Sequence, residues 1–102
     1  TRRTLTELDA TEEQQERVVT IVYAAVGDLY DLADRHRANR DAFVTAMSRA
    51  DVDRTELEQI RTAEMQLADS GSSRMLAAMA NIAEILTREQ RSQLIDQIGR
   101  HR

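Results

Sequence analysis

The chain has 102 residues, a formal net charge of -4 and no cysteine. This length corresponds to one domain near the lower limit for an independent hydrophobic core. The acidic balance argues against a nucleic-acid-binding surface, the lack of cysteine excludes a disulfide scaffold, and no apolar run reaches the ~20 residues that a membrane-spanning helix needs.

The composition predicts an all-α fold. There is no proline and there are only 3 glycines, which favours long uninterrupted helices over turn-rich β-structure. Aromatic residues make up only 3% of the chain, so large core-filling side chains are scarce and we expect a second copy to complete the core. We expect a flexible N-terminal arm over residues 1–10, able to dock through Leu5 and Leu8, and a single helical domain over residues 11–102.

The first long helix is predicted to begin after Thr11. Thr11 and Gln14 have the spacing of a capping box, in which each side chain bonds the other residue's backbone amide. An apolar seam follows in alternating steps of four and three and is predicted to form core or dimer contacts: Val18, Val22, Ala25, Leu29 and Leu32. Residues 34–41 are strongly polar and fit two structures. Either the helix runs through as one bent rod, or a bend precedes a short second helix capped by Asn39.

The second half of the chain is predicted to form two more helices. Asp53 and Glu56 make a cap pair that starts the first of them. A loop could interrupt this helix at residues 70–73, but we favour a continuous helix because the apolar stripe resumes within one turn. Thr87 and Gln90 then repeat the capping-box spacing, which predicts a corner followed by a final helix.

Two Thr-x-x-Gln corners therefore open two predicted helices, one near each end of the chain. The second reads Leu86-Thr87-Arg88-Glu89-Gln90, whereas the first has Ala10 at the position of the leucine. From about Leu8 to Ile98 this arrangement resembles the LTxxQ family of bacterial periplasmic stress proteins, which includes Spy/CpxP-like chaperones and heavy-metal resistance proteins.

The resemblance implies a bent long-helix hairpin of about four helices that pairs into a cradle-like homodimer. It also implies a periplasmic ATP-independent chaperone or stress-response adaptor, without a cofactor, that binds unfolded proteins or the periplasmic domain of a sensor kinase. A signal peptide or membrane anchor is then expected to precede residue 1. Two alternatives remain open: a periplasmic heavy-metal sensor that binds a transition-metal ion, and a helical dimerisation module of a larger protein.

Candidate binding residues are arginines and soft metal ligands. Six arginines are candidates for a client or partner surface, although their spacing is also typical of a solvated helix face: Arg35, Arg37, Arg40, Arg49, Arg61 and Arg74. His36, Met75 and Met79 are weak candidates for a metal site. For the two methionines we favour a role as core gap-fillers, and for His36 a hydrogen-bonded interface. No nucleophile motif is present in the sequence, so we do not predict an enzyme.

Overall fold

The computed structural model describes residues 2–100, apart from the side chain of Arg2; Thr1, His101 and Arg102, which end the predicted arm and domain, lie outside the described residues. Four helices follow one another: α1 (Arg2–Glu7), α2 (Glu12–Met47), α3 (Arg54–Ile85) and α4 (Arg88–Arg100). Residues 2–100 contain no strand. The prediction of an all-α fold with about four helices is therefore confirmed.

The helix α2 runs through the polar stretch at residues 34–41 without a break. Of the two structures that the sequence allowed, the continuous helix is the one that forms, and the short helix capped by Asn39 is absent from the described residues. This stretch contains neither proline nor glycine, and Asp34 pairs with Arg37 one turn later. Its polar side chains are thus accommodated on a solvated helix surface.

The helix α3 begins at its predicted cap. The Oδ1 atom of Asp53 accepts hydrogen bonds from the N–H groups of Thr55, at 3.0 Å, and Glu56, at 3.3 Å. The helix then continues through residues 70–73, as predicted. At Gly71 an added Cβ would lie 3.7 Å from the Cδ1 atom of Leu32, an ordinary contact distance. The small residues at positions 70–73 therefore do not interrupt α3.

The described residues form two compact units. Residues 2–25 and 76–100 make up the first unit, and Val26–Met75 the second. In the second unit α2 and α3 are joined by residues 48–53 and pair in inverse order along the chain, through the side-chain contacts Arg49–Glu56, His36–Glu64 and Asp28–Arg74. The second unit is therefore an antiparallel helical hairpin.

The core of the first unit lies beneath the two corners. Leu5, Val18 and Leu86 are buried in one cluster. Partly buried apolar residues pack against this cluster: Ala10, Val22, Ile82, Ile85 and Leu94. Each of the four helices supplies a side chain, so this core is complete only when α1 and α4 are docked on the two long helices.

The N-terminal segment contains a short helix with a defined end. The Ala10 N–H donates to the Leu5 C=O at 3.0 Å and the Asp9 N–H donates to the Thr6 C=O at 3.0 Å, the two bonds of a Schellman motif. Asp9 has a φ of 58°, the left-handed conformation that this motif requires and that aspartate tolerates. Leu5 and Leu8 are both buried. The flexibility of residues 1–10 and the single-domain character of residues 11–102 stay predictions.

Candidate functional site

The first corner is a complete capping box at the start of α2. The Thr11 Oγ1 atom accepts the Gln14 N–H at 3.1 Å, and the Gln14 Oε1 atom accepts the Thr11 N–H at 2.8 Å. Glu12 and Glu13 occupy the first turn, where negative charge interacts favourably with the helix dipole. The start of α2 is thus fixed by hydrogen bonds that satisfy amide groups left without partners at a helix end.

The second corner repeats this geometry at the start of α4. The Thr87 Oγ1 atom accepts the Gln90 N–H at 3.2 Å, and the Gln90 Oε1 atom accepts the Thr87 N–H at 2.9 Å. Leu86 is buried in the core and Gln90 is itself buried, with 9% of its surface exposed. The second corner therefore contains an amide side chain that must satisfy its polar atoms inside the protein.

The two corners are bonded to each other through their glutamines. The Gln14 Nε2 atom donates to the Gln90 Oε1 atom at 3.0 Å, and the Gln90 Nε2 atom donates to the Gln14 Oε1 atom at 3.3 Å. Each amide gives its other proton to a backbone carbonyl, Gln14 to that of Ile85 at 3.0 Å and Gln90 to that of Leu8 at 3.3 Å. Each glutamine therefore caps its own helix and holds the opposite corner.

This reciprocal pair explains why both motifs end in glutamine. A glutamate also suits the last position of an isolated capping box, but a carboxylate cannot donate a hydrogen bond. The backbone N–H groups of Thr11 and Thr87 each need an oxygen as acceptor. The carbonyls of Leu8 and Ile85 each need an N–H as donor. Only a side-chain amide supplies both, so the oxygen and the nitrogen of each glutamine have defined partners. None of these partners titrates near neutral pH, and the arrangement is a structural lock.

The predicted apolar seam of α2 packs inside the chain. Its members are buried or half-buried: Val18, Val22, Ala25, Leu29 and Leu32. The same helix leaves Val26 and Tyr30 exposed in the second unit. A dimer interface on α2 would therefore need exposed residues of this kind, since the seam is already buried or half-buried within the single chain.

The candidate arginines lie at the surface of the second unit, and most of them are paired. Four form ion pairs with neighbouring carboxylates: Arg37 with Asp34, Arg49 with Glu56, Arg61 with Glu58, and Arg74 with Asp28. Hydrogen bonding to Arg61 lowers the pKa of Glu58. Within residues 2–100, Arg35 and Arg40 form no ion pair. The unpaired positive charge of the candidate surface is therefore at these two positions.

The candidate metal ligands Met75 and Met79 are exposed side chains of α3. Met75 and Met79 lie one turn apart on α3 and both are exposed, whereas Ala78 is the buried residue of this turn. The interpretation of the two methionines as core gap-fillers is wrong, because α3 packs inward with Ala78 and leaves both methionine side chains exposed. In the part of the chain that the structure describes, no group of three His, Cys, Asp or Glu side chains is placed to hold a metal ion.

His36 takes part in a contact between α2 and α3. Its Nδ1 atom lies 2.8 Å from the Oε2 atom of Glu64, and the Asn39 Nδ2 atom donates to the Glu64 Oε1 atom at 2.8 Å. The hydrogen bond from Asn39, followed by that from His36, lowers the pKa of the Glu64 carboxyl. The sequence did not identify Glu64, because a lone glutamate on a polar helix carries no signal of its partner.

Both units expose large apolar side chains. In the first unit they are Tyr23, Leu76, Met79, Ile95 and Ile98, and in the second Val26, Tyr30, Phe43, Val44, Met47, Val52, Met65 and Met75. Single exposed apolar residues are normal, whereas large exposed apolar patches are typical of interaction sites.

Comparison with known proteins places the chain in a family. No helix within residues 2–100 has the length and apolarity needed to cross a membrane. No curated protein and no solved structure matches the chain. A family model described as LTXXQ motif family protein matches residues 2–98, which includes both corners, the first three helices and α4 as far as Ile98. The chain therefore belongs to the LTXXQ motif family.

Proposed function

We propose that this protein is a periplasmic, ATP-independent chaperone or stress-response adaptor. Its exposed apolar side chains, together with the neighbouring arginines, bind unfolded protein or the periplasmic domain of a sensor kinase. Membership of the LTXXQ motif family supports this general role and the periplasmic location. The observation that carries the proposal is the set of large apolar residues that both units leave exposed.

The exposed residues suit transient contact with unfolded chains. Tyr30 and Val26 lie one turn apart on α2, and Phe43, Val44 and Met47 follow near its end. Unfolded proteins expose apolar segments, and scattered apolar contacts on a helical surface bind such segments without a unique register. Binding of this kind needs neither a nucleotide nor a catalytic group.

The charges next to these residues favour clients with acidic segments. Arg40 precedes Phe43 by one turn on α2 and has no ion-pair partner among residues 2–100. Arg35 lines a shallow groove of the second unit with Asn39 and Gln66. Because the net charge is -4, attraction of acidic clients depends on these local positions and is screened by salt.

Light scattering of a chemically denatured client tests the chaperone role. The full chain, without ATP, is expected to suppress aggregation at a few-fold molar excess. Replacing Tyr30 by serine is expected to weaken this protection because it removes an exposed aromatic side chain. The matched control is Gln59→Ser, which creates the same residue at an exposed polar position of α3. No suppression by the native chain at several-fold excess would refute the chaperone role.

A homodimer and an adaptor role are also proposed. Sedimentation at tens of micromolar is expected to give a dimer, and a monomer would contradict this proposal. Failure in the client assay together with saturable binding to the periplasmic domain of a sensor kinase would favour the adaptor.

Expression of the complete reading frame followed by cell fractionation tests the periplasmic location. Recovery of the protein in the cytoplasm would refute this location.

A further inference from the structure

All methionines of this protein are exposed. The chain has 4, and the exposed fractions are 52% for Met47, 56% for Met65, 46% for Met75 and 59% for Met79. Methionine side chains more commonly fill gaps in a core, where they are shielded from solvent. The chain contains neither cysteine nor tryptophan. Its thioethers are therefore the side chains most open to attack by a peroxide.

One of the four sulfur atoms differs in its surroundings. The Arg61 Nη1 atom donates to the Met65 Sδ atom, which lies one turn further along α3. Arg61 is held in place by Glu58, whose Oε1 atom accepts from the Arg61 Nε atom at 2.9 Å. A donor directed at a thioether engages one of the two sulfur lone pairs and draws electron density from the sulfur that would attack an electrophilic oxygen. The sulfur of Met65 is therefore a weaker nucleophile than an exposed sulfur without such a donor.

We propose that the exposed methionines of both units react with peroxide, and that Met47, Met75 and Met79 are oxidised first and Met65 last. In each reaction the sulfur lone pair forms an S–O bond with one oxygen of hydrogen peroxide as the O–O bond breaks. The thioether is oxidised by two electrons to the sulfoxide, and the other peroxide oxygen leaves as water after proton transfer. No metal or further reductant takes part.

Oxidation changes the character of the surface. A thioether is apolar, whereas a sulfoxide is polar and a strong hydrogen-bond acceptor. Conversion of Met47 and Met75 in the second unit, and of Met79 in the first, removes apolar contact points from both. A loss of client binding on oxidation rests on the function proposed above, whereas the order of oxidation does not.

Peptide mass spectrometry of the intact folded protein during treatment with hydrogen peroxide tests the order. Each oxidation adds about 16 Da to one methionine-containing peptide. Met47, Met75 and Met79 are expected to react within about threefold of their rates in the urea-unfolded chain, and Met65 several-fold more slowly than in that chain. Protection of the first three by more than about tenfold, as burial between subunits would produce, overturns the proposal.

The role of Arg61 is tested with a substitution and a matched control. In Arg61→Leu, which removes the donor, the rate at Met65 is expected to rise to that of Met47 in the same sample. Arg54→Leu makes the same change at an exposed position of α3 and is expected to leave Met65 slow. Circular dichroism checks that each variant keeps its helices. An unchanged rate at Met65 in Arg61→Leu overturns the protective contact. Because these rates require no client, failure here is distinguishable from failure of the chaperone proposal.

Discussion

Replacing Gln90 by glutamate is expected to destabilise the first unit by about 3 kcal/mol at pH 7. The substituted carboxylate still accepts hydrogen bonds from the Thr87 N–H and from Gln14, but it loses the two protons that Gln90 gives to the Leu8 C=O and to the Gln14 Oε1 atom. The two lost hydrogen bonds are worth about 1 kcal/mol each, and placing a buried carboxylate oxygen against two acceptors costs about 1 kcal/mol more.

Thermal and urea unfolding followed by far-ultraviolet circular dichroism measures this effect. A loss of about 3 kcal/mol corresponds to a fall in Tm of about 12–24 °C for a small domain. The control is Gln93→Glu, which introduces the same charge at an exposed position one turn further along α4 and is expected to change stability by less than about 0.5 kcal/mol. Equal effects of the two substitutions would refute the requirement for a donor at Gln90.

The pH dependence of the same variant gives a second measure. Burial against two acceptors disfavours the charged form, so the introduced carboxyl has a higher pKa in the folded state than in the unfolded state. The part of the destabilisation that comes from the charge is therefore absent below the unfolded pKa of about 4.3 and grows as the pH rises through it. We expect the difference in Tm between Gln90→Glu and Gln93→Glu to narrow in acid. A constant difference from pH 3 to pH 7 would contradict this explanation.

Three further substitutions test other parts of the structure. Thr87→Ala removes the cap of α4 and is expected to cost ~1 kcal/mol in urea unfolding. Gly71→Ala is expected to stabilise the second unit by about 1 kcal/mol, because alanine is the better helix former and its Cβ meets Leu32 at 3.7 Å, an ordinary contact. Asn39 and His36 lower the pKa of Glu64 below 4.5, so the stability due to this carboxylate is present above pH 4.5 and lost as the pH falls through the folded pKa. Glu64→Gln should therefore lower the Tm at pH 7 and have a diminishing effect below pH 4.5.

Local signals in the sequence predicted most of the helices. The absence of proline predicted long helices, and the cap residues at Thr11, Asp53 and Thr87 marked where three of them begin. These signals are reliable because a cap satisfies backbone amides within one helical turn, so all of its parts lie close together in the sequence. The family resemblance was carried by the same residues and is confirmed over residues 2–98.

Features that depend on distant residues were not predicted. The helix α1 has only 6 residues, too few to show a period, and it is positioned by the Schellman turn at Asp9 and by burial of Leu5. The exposure of Met75 and Met79 depends on which face of α3 packs against α2. The apolar stripe of α3 is broader than the face that packs, so the sequence does not show which of its residues are buried. The bond between Gln14 and Gln90 joins residues that are 76 positions apart. Its only signal in the sequence is the choice of glutamine at the end of both motifs.

A double-mutant cycle on Gln14 and Gln90 tests the central claim, that the two corners are locked together by a reciprocal amide pair. The free energies of unfolding of the native chain, Gln14→Ala, Gln90→Ala and the double variant are measured in urea. Because the two side chains bond each other directly, the cycle is expected to give a coupling energy of about 1–2 kcal/mol. Additive effects, with a coupling within about 0.3 kcal/mol of zero, would show that each corner caps its own helix independently.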